Sequence, residues 1–399
     1  MIDSSAKKAN QFKEDFRDNP YQKQRKHFDL EQLLDRDPIQ LDTVNSKSFV
    51  RNKRIMITGA AGSIGRHLFK QLTLFKPKRL LLIDSSETGI YELDEELKNI
   101  YEDIEIITIP ANITDPRRMK HIFQHYQPQI VFHAAANKHV PIMEKNPYEA
   151  IKTNILGTKI LADLSNEYWV EKFVFISTDK AVNPTGIMGA SKRCSEMYLQ
   201  SLAAETGITT QYVITRFGNV LGSSGSVIPR FVKQIDRGGP VEITHPDVMR
   251  YFITMQEACQ LVLEAGAIGQ SGEVFILEMG DRILLKDLVQ KMIRLSGFRV
   301  GDDIGIIYIG LRPGEKLLEE KLNKHEKINP SQSSSITITN GHSVNSRFMA
   351  DTIRQLENAL DSGEDNEMVL ILKNAIPEYI SHNSEFEKLD LLSGKTNPI

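Results

Sequence analysis

Short apolar runs alternate with amphipathic segments through the first half of the chain, and this alternation predicts its fold. Six runs read as buried strands: KRIMIT, RLLLID, EIITIP, QIVFHAA, KFVFIST and QYVITRF. The segments between them have helical spacing and begin near Ser63, Glu87, Pro116, Pro147 and Met188. Continuous apolar strands separated by helices are typical of a parallel sheet that is covered on both faces. We therefore expect an α/β fold, with a doubly wound parallel-sheet (Rossmann) domain and a smaller C-terminal substrate-binding domain.

Changes in composition divide the chain into four regions. Residues 1–50 are polar and include one segment of helical spacing, so we expect an N-terminal extension with a partly docked helix. Residues 51–217 carry the alternating strands and helices of an NAD(P)-binding domain. Residues 218–330 are richer in Gly and Pro and are expected to form a smaller, loop-rich substrate-binding domain, interleaved with the main sheet. Residues 331–399 begin with a Ser-rich stretch and are expected to form a helical region and tail.

Composition and charge exclude several classes of protein. The net charge of −3 gives no basic footprint for nucleic acid. No apolar run approaches the roughly 18 residues of a membrane span, and the polar N-terminus is not a secretory signal. Cys194 and Cys259 are too few for a disulfide framework and lack the spacing of metal ligands, so both are expected in the core. These features predict a cytoplasmic protein with no metal site, no membrane span and no nucleic-acid partner.

A glycine-rich turn follows the first predicted strand and leads directly into a helix. Glycines at these spacings permit a tight turn, close approach of the backbone to a pyrophosphate, and close packing of helix on strand. The helix N-terminus adds free N–H donors and partial positive charge. The turn therefore predicts a dinucleotide site, whose expected contacts are Gly59, Gly62, Ser63, Ile64 and Gly65.

The identity of the dinucleotide depends on the end of the second strand. Asp84 lies there, where a carboxylate accepts hydrogen bonds from the ribose hydroxyls and repels a 2′-phosphate. This position favours NAD over NADP. Two alternatives stay open: Asp84 could merely cap the following helix, and Arg66 could bind a 2′-phosphate.

The fifth predicted strand ends in Ser-Thr-Asp-Lys, residues 177–180, and the next helix contains Lys192. Here the chain resembles the extended short-chain dehydrogenase superfamily, whose members place Ser or Thr at this strand end and a Tyr-x-x-x-Lys pair on the next helix. The lysine of that pair is present, but the tyrosine position is Met188, which cannot accept a proton.

One branch of that superfamily is similar throughout: the nucleotide-sugar 4,6-dehydratases of bacterial polysaccharide synthesis, typified by UDP-N-acetylglucosamine 4,6-dehydratase. A sub-branch of this family carries the same methionine. The matching motifs run in order from about Asp29 to Leu322 and include GAAGSIG, IDSSETGIYELDEEL, FHAAANKHVPIMEKNPYEAIKTNILGT, STDKAVNPTGIMGASK, RFGNVLGSSGSVIPRF, THPDVMRYFIT and GLRPGEKLLEE.

The resemblance implies a cofactor, a substrate and an assembly. The cofactor is NAD (NADP possible), tightly bound and regenerated in each turnover. The substrate is UDP-N-acetylglucosamine or a related nucleotide sugar, with GDP or dTDP as alternatives to UDP, and the methionine-bearing branch implies retention at C5. The family commonly pairs through helices that flank the sheet, so a homo-oligomer is expected.

The resemblance also implies roles for the loop after the fifth strand. In a 4,6-dehydratase C4 of the sugar is oxidised, C5 loses a proton, the C6 hydroxyl leaves and hydride returns to C6. Our hypothesis is that Asp179 protonates the leaving hydroxyl and Lys180 removes the C5 proton, which requires a raised pKa for the aspartate and a lowered pKa for the lysine. Thr178 with Lys192, Asp179 itself or a bound water could act as the base that Met188 cannot be.

Further positions are expected to contact the two ligands. Lys192 is assigned to the nicotinamide ribose, and the remaining cofactor contacts follow the third and fourth strands: Asn112, Ile113, Ala134 and Ala135. A guanidinium suits phosphate and a carboxylate suits ribose hydroxyls. The expected substrate contacts, by resemblance, are Lys138, Asn219, Arg250, Arg312 and Glu315.

Two other functions remain as alternatives. A nucleotide-sugar 4- or 5-epimerase could use the same scaffold, although C4 epimerisation has no need of an acid at C6, which the Asp179–Lys180 pair would supply. A non-catalytic NAD-binding sensor would explain the missing tyrosine. The intact Asp179, Lys180 and Lys192 argue against it, because a sensor needs no acid/base pair.

Overall fold

The structure is a computed structural model that describes residues 26–37, 39, 43–97, 104–323, 326–329, 335–340 and 344–395. Its strands, in chain order, are β1 (Arg54–Thr58), β2 (Arg79–Asp84), β3 (Glu105–Pro110), β4 (Ile130–His133), β5 (Lys172–Ile176), β6 (Gln211–Arg216), β7 (Asn219–Val220), β8 (Val241–Ile243), β9 (Met249–Arg250), β10 (Phe252–Ile253), β11 (Glu273–Leu277), β12 (Ile283–Leu284), β13 (Ile306–Tyr308), β14 (Lys327–Asn329) and β15 (Ile336–Asn340).

The helices surround these strands. In chain order they are α1 (Val44–Val50), α2 (Ser63–Thr73), α3 (Glu87–Leu97), α4 (Pro116–Tyr126), α5 (Val140–Met143), α6 (Pro147–Ala150), α7 (Gly157–Glu167), α8 (Ile187–Ala203), α9 (Val227–Asp236), α10 (Met255–Ile268), α11 (Leu285–Leu295), α12 (Ser346–Ser362), α13 (Asp365–Ala375) and α14 (Lys388–Leu392). Of the helices in the described part of the chain, none combines the length and the apolar character that crossing a lipid bilayer requires.

The central sheet confirms the predicted fold class. Within the described residues it has nine strands in the order β14-β15-β11-β6-β5-β4-β1-β2-β3. The six strands predicted from the apolar runs are all present and parallel, and their order, 3-2-1-4-5-6, is that of the doubly wound dinucleotide-binding fold. β11 extends the parallel sheet beside β6, and β15 and β14 close its edge in antiparallel pairing.

Alternate side chains of the sheet belong to two different apolar cores. Met56 in β1 packs in the core on one face, whereas Ile55 and Ile57 pack in the core on the other. Both cores are closed by helices, which explains why these strands are apolar at every position instead of alternating. Cys194 and Cys259 are both buried, as expected, one in each core.

A third apolar core lies in the region that follows β6. It is formed mainly by α9, α11, β8 and β10, and Leu33 and Leu34 from the N-terminal extension complete it. The helix predicted in that extension is a four-residue 3₁₀ turn, Leu30–Leu33, and Arg36 fixes it by a paired hydrogen bond to Glu257 in α10. The first 25 residues of the extension and the Ser-rich stretch lie outside the described residues.

The C-terminal helices connect back to the loops above the sheet. After α13 the chain continues as a segment that we call the C-terminal strap (residues 376–387). Its backbone N–H groups at Ile380 and His382 donate to the carbonyl oxygens of Pro184 and Thr185. The carbonyl oxygen of His382 in turn accepts from Gly314 N–H at 2.8 Å. The strap therefore joins the loop after β5 to the loop after β13.

Candidate active site

A single cleft of about 580 Å³ lies at the carboxyl ends of the parallel strands. Ligands of this fold bind at that edge of the sheet. The cleft runs from the glycine-rich turn after β1 to the loops after β6 and β13. The predicted site residues that line it are Gly59, Gly62, Ser63, Ile64, Gly65, Ala134, Lys138, Thr178, Lys180, Lys192, Asn219, Arg250, Arg312 and Glu315.

The glycine-rich turn has the geometry that a dinucleotide site needs. Gly59 has φ +69°, and a Cβ on it would lie 2.6 Å from the backbone nitrogen of Ala135. A Cβ on Gly65 would lie 2.2 Å from the carbonyl oxygen of Gly59, so only glycine allows α2 to pack on the turn. Because α2 begins at Ser63, its free N–H groups face the cleft edge where a pyrophosphate would be held. The residues present fit the predicted cofactor.

Asp84 holds the glycine-rich turn in place. Its Oδ2 accepts from Ala61 N–H at 3.1 Å and its Oδ1 accepts from Ser86 N–H at 2.9 Å. The carboxylate therefore links the turn after β1 to the start of α3. Arg66 lies close by, but its guanidinium pairs with Glu92 at 3.0 Å and with Glu96 at 3.5 Å.

Some predicted cofactor residues are not among those that line the cleft. The side-chain oxygen of Asn112 accepts from the backbone N–H and the hydroxyl of Thr114. Ile113 is buried and packs against Gly157 at the start of α7. Ala135 lies behind Gly59. These three residues support the wall of the site, and their contact with a cofactor remains a prediction.

The loop after β5 carries the densest group of polar contacts in the cleft. Asp179 is 2% exposed, and its Oδ1 accepts from the Thr178 hydroxyl and from the Lys180 amine, each at 2.9 Å. Its Oδ2 is buried and has no hydrogen-bond partner among the described residues. The Asp179 carboxylate therefore lies just beneath the cleft wall, with one oxygen shared by two donors and the other free.

Lys180 extends from this carboxylate into the cleft. Its Nζ also donates to Asn219 Oδ1 at 3.2 Å and lies 3.7 Å from Oε1 of Glu319. Burial acts to lower the pKa of the Lys180 amine, but the charges of Asp179 and Glu319 outweigh burial and the opposing charge of Arg250, so that the pKa is raised. The expectation of a lowered pKa for Lys180 is therefore wrong, because two carboxylates flank its ammonium group.

Lys192 has the opposite environment. Its Nζ lies 3.8 Å from the centroid of the Phe175 ring and lines the cleft one turn beyond Met188. Burial lowers the pKa of this amine to about 7, with only partial opposition from Glu196. Met188 is buried in the wall, so the position of the superfamily's tyrosine is filled by an apolar side chain.

A buried charge network fixes the ends of β5 and β6 below these residues. Arg216 donates two hydrogen bonds to Glu196, at 2.6 and 2.8 Å, and one to Glu326 at 2.8 Å. Glu196 also accepts from the hydroxyl of Ser177 at 2.6 Å. Since Ser177 immediately precedes Thr178, this network anchors the base of the loop that carries Asp179 and Lys180.

The predicted substrate-binding arginines are engaged with the protein itself. Arg250 donates to the carbonyl oxygens of Met249, Lys316 and Leu317, so its guanidinium braces the loop after β13. Arg312 donates to Glu315, and this pair lies at the cleft with the arginine more than a third exposed. Of the two arginines, Arg312 is therefore the one placed to exchange its partner for a phosphate.

Glu319 is a cleft residue that sequence reasoning missed. It is 2% exposed, and its Oε2 is buried without a hydrogen-bond partner among the described residues. Its Oε1 lies between Lys180, at 3.7 Å, and Nε of Arg250, at 3.6 Å. In the sequence it stands beside Glu320, and nothing in two adjacent acids indicates which of them is buried.

Known proteins with similar sequences include polysaccharide biosynthesis proteins and nucleotide-sugar enzymes. The capsular polysaccharide biosynthesis protein CapD of Staphylococcus aureus is 50% identical over 308 residues, 77% of this chain and 51% of that protein. The UDP-N-acetylglucosamine 4,6-dehydratase (inverting) of Campylobacter jejuni serotype O:2 is 32% identical over 67% of this chain and 76% of its own. The UDP-glucose 4-epimerase of Rickettsia rickettsii is 33% identical over 69% and 79%.

The family model for polysaccharide biosynthesis proteins matches residues 55–340, from β1 to β15. The chain spans about half the length of the Staphylococcus protein, so the similarity concerns that half alone. The matched range contains the sheet, the glycine-rich turn and the whole cleft. The chain belongs to the polysaccharide biosynthesis protein family, a branch of the extended short-chain dehydrogenase superfamily.

Proposed function

We propose that the chain is a nucleotide-sugar 4,6-dehydratase, an NAD-dependent hydro-lyase. Its substrate is UDP-N-acetylglucosamine, its product is UDP-2-acetamido-2,6-dideoxy-4-keto-hexose with C5 retained, and its pathway is cell-surface glycan synthesis. The observation that carries the proposal is the Thr178–Asp179–Lys180 group: Thr178 and Lys180 line the cleft between the glycine-rich turn and the loops after β6 and β13, and both donate to the Asp179 carboxylate beneath its wall. A cytoplasmic location and a homo-oligomer belong to the same proposal.

Bound NAD supplies a hydride acceptor at sugar C4 and later a hydride donor at C6. The glycine-rich turn and α2 would hold its pyrophosphate, and Asp84 its adenosine ribose. Arg66 is occupied by Glu92 and Glu96, which supports NAD rather than NADP. Lys192 would contact the nicotinamide ribose, and its position in the cleft wall supports this assignment.

Thr178 and Asp179 can handle the proton of the C4 hydroxyl. Because Thr178 donates to Asp179, a sugar hydroxyl that donates to Thr178 Oγ1 passes its proton through to the carboxylate. The protonated Asp179 is then the acid for the departing C6 hydroxyl. The O4 proton leaves in the water, and Asp179 returns to its ionised form.

Lys180 is assigned to C5, where it removes a proton and returns it to the same face. Protonation of Asp179 removes the nearer of the two carboxylates that raise the pKa of Lys180. The ammonium can then release a proton to solvent, since the side chain is 23% exposed, and the free amine acts as the base. Loss of the Asp179 proton to O6 restores the carboxylate that stabilises the newly formed ammonium.

One assay tests the proposal. Purified protein mixed with UDP-N-acetylglucosamine, without added cofactor, should give a product lighter by one water in mass spectrometry. Asp179→Asn and Lys180→Ala should abolish this product. Normal elimination by both variants would end the assignment.

The same assay separates the alternatives. A product of unchanged mass would support an epimerase, for which the similarity to the Rickettsia enzyme is the favouring observation. Retained NAD without turnover would support a sensor. Parallel reactions with GDP- and dTDP-sugars identify the nucleotide.

A further inference from the structure

Lys180 has two carboxylate neighbours, and only one of them is explained by the proposed chemistry. Asp179 is adjacent in sequence and hydrogen-bonded to the amine. Glu319 comes from the loop after β13, with Oε1 3.7 Å from Lys180 Nζ. An acidic side chain that is 2% exposed, and has one oxygen without a partner among the described residues, is costly to bury unless nearby positive charge stabilises it.

Two cations provide that positive charge, and they have different functions. Arg250 approaches the same Oε1 at 3.6 Å while its other nitrogens bond to the carbonyl oxygens of Lys316 and Leu317. It therefore fixes the backbone just before Glu319 and aims the carboxylate at the cleft. Lys180 is the partner that the proposed chemistry uses: it lines the cleft, and its other neighbours are Asp179, Asn219 and Arg250.

We infer that Glu319 is a positioning residue for Lys180: it is the permanent counter-ion that keeps the amine basic while Asp179 gains and loses its proton. This inference rests on the proposed function. In the step where Asp179 is protonated, Glu319 is the remaining negative charge beside Lys180. The amine consequently stays basic enough to take a proton from C5 and to hold it until that carbon is protonated again.

Neutralising Glu319 should shift the pKa of the Lys180 amine in one direction only, downward. Removing the charge of Glu319 destabilises the ammonium form of Lys180, so the free amine appears at a lower pH. An opposite charge at 4–6 Å shifts a pKa by about 1–3 units, and we expect a shift of about one unit here. The ascending limb of the pH–rate profile that reports the Lys180 amine should move to lower pH by the same amount.

The experiment measures exchange of the C5 hydrogen with deuterated solvent as a function of pH. Glu319→Gln should move the ascending limb to lower pH by about one unit. Glu319→Asp keeps the negative charge but holds it farther from Lys180, so it should give a smaller shift. Glu320→Gln is the matched control, since that neighbouring carboxylate is 45% exposed and pairs with Lys316. A profile that does not move in Glu319→Gln, even with a lower rate, would overturn the inference.

A second readout does not require turnover. Acetic anhydride modifies free amines, and peptide mass spectrometry gives the pH at which Lys180 becomes reactive. That midpoint should fall in Glu319→Gln and stay unchanged in Glu320→Gln. If the wild type has no dehydratase activity the proposed function fails, but the labelling still decides whether Glu319 controls Lys180. Should Glu319→Gln not fold, a Glu319→Asp midpoint equal to that of the wild type would contradict the inference.

Discussion

The hydroxyl of Thr178 donates a hydrogen bond of 2.9 Å to Oδ1 of Asp179. A hydroxyl held in this way can accept a proton on one side only if it passes its own proton to the other. We propose that this pair replaces the missing tyrosine base without a new ionisable group, through a hydroxyl and the carboxylate that would later serve as an acid.

The first prediction concerns a variant that lacks the Thr178 hydroxyl. Thr178→Val keeps the shape of the side chain, but the C4 proton loses its path to Asp179, so we expect kcat to fall by about 10²–10⁴-fold. Thr178→Ser, which retains the hydroxyl, should stay within about tenfold of the wild type. The measurement is the initial rate of water loss. A Thr178→Val rate within twofold of the wild type would exclude the relay.

The second prediction concerns the contact between α8 and the loop after β5, which carries Lys180. A Cβ on Gly189 would lie 2.2 Å from the carbonyl oxygen of Lys180, so Gly189→Ala must push that backbone away. We expect kcat to drop at least about tenfold, together with a lower melting temperature. Gly305→Ala is the control, because a Cβ there meets no atom within 4 Å. Equal activity of the two variants would show that the position of Lys180 is not set by this contact.

The third prediction follows from the burial of Lys192. Its pKa is about 7 in the folded protein and about 10.4 when unfolded, so between these values the unfolded chain binds more protons. Stability from this group therefore rises with pH from about 7 to 10, and below about 7 the buried ammonium carries its full cost. Lys192→Met should raise the unfolding midpoint of the cofactor-free protein at pH 6, and less so at pH 10.

Denaturant titrations at the two pH values check this expectation. The exposed Lys388 offers a control, since Lys388→Met should change the midpoint equally at both. If Lys192→Met changes the unfolding midpoint equally at pH 6 and at pH 10, burial of the Lys192 ammonium does not destabilise the protein.

The fourth prediction distinguishes the effects of Asp84 and Arg66 on the choice between NAD and NADP. Asp84→Ala should weaken NAD binding by about tenfold, because it removes both the ribose acceptor and the hydrogen bond to Ala61 N–H. Arg66→Ala should leave the ratio of NAD to NADP affinity unchanged, because the guanidinium is already paired with Glu92 and Glu96. Calorimetric titration of the cofactor-free variants with NAD and with NADP measures the two affinities and hence their ratio. Selective loss of NADP affinity in Arg66→Ala would show that this arginine reads the 2′-phosphate.

The sheet could be predicted from the sequence because its signal is local. Every strand from β1 to β6 is an apolar run of its own, and the repeated strand–helix alternation indicates a parallel sheet with helices on both faces. The glycine-rich turn was equally readable, since the positive φ of Gly59 and the contact of Gly65 with the Gly59 carbonyl oxygen are demands that arise within the turn itself.

The electrostatics of the site could not be predicted in this way. Besides its sequence neighbour Asp179, the raised pKa of Lys180 depends on Glu319, which is far away in sequence and lies on the loop that Arg250 holds by hydrogen bonds. The resemblance predicts a substrate contact for Arg250, but its guanidinium instead donates to the backbone carbonyl oxygens of this loop. Motif spacing indicates which residues share a cleft, but partners and protonation depend on long-range packing.

The C-terminal strap has a consequence for how the protein is made. Gly314 and the residues after Lys180 are tied together through the backbone of His382, a residue near the end of the described chain. A nascent polypeptide can build the parallel part of its central sheet as β1 to β6 and then β11 leave the ribosome, because each of these strands after β1 pairs with one that has already been made. The two loops meet directly as well, because the Thr185 hydroxyl donates to the Gly314 carbonyl oxygen and the Lys316 amine donates to the Val182 carbonyl oxygen. The backbone hydrogen bonds of the strap are added to these contacts only when residue 382 has been translated, so this part of the cleft wall is completed after the parallel sheet.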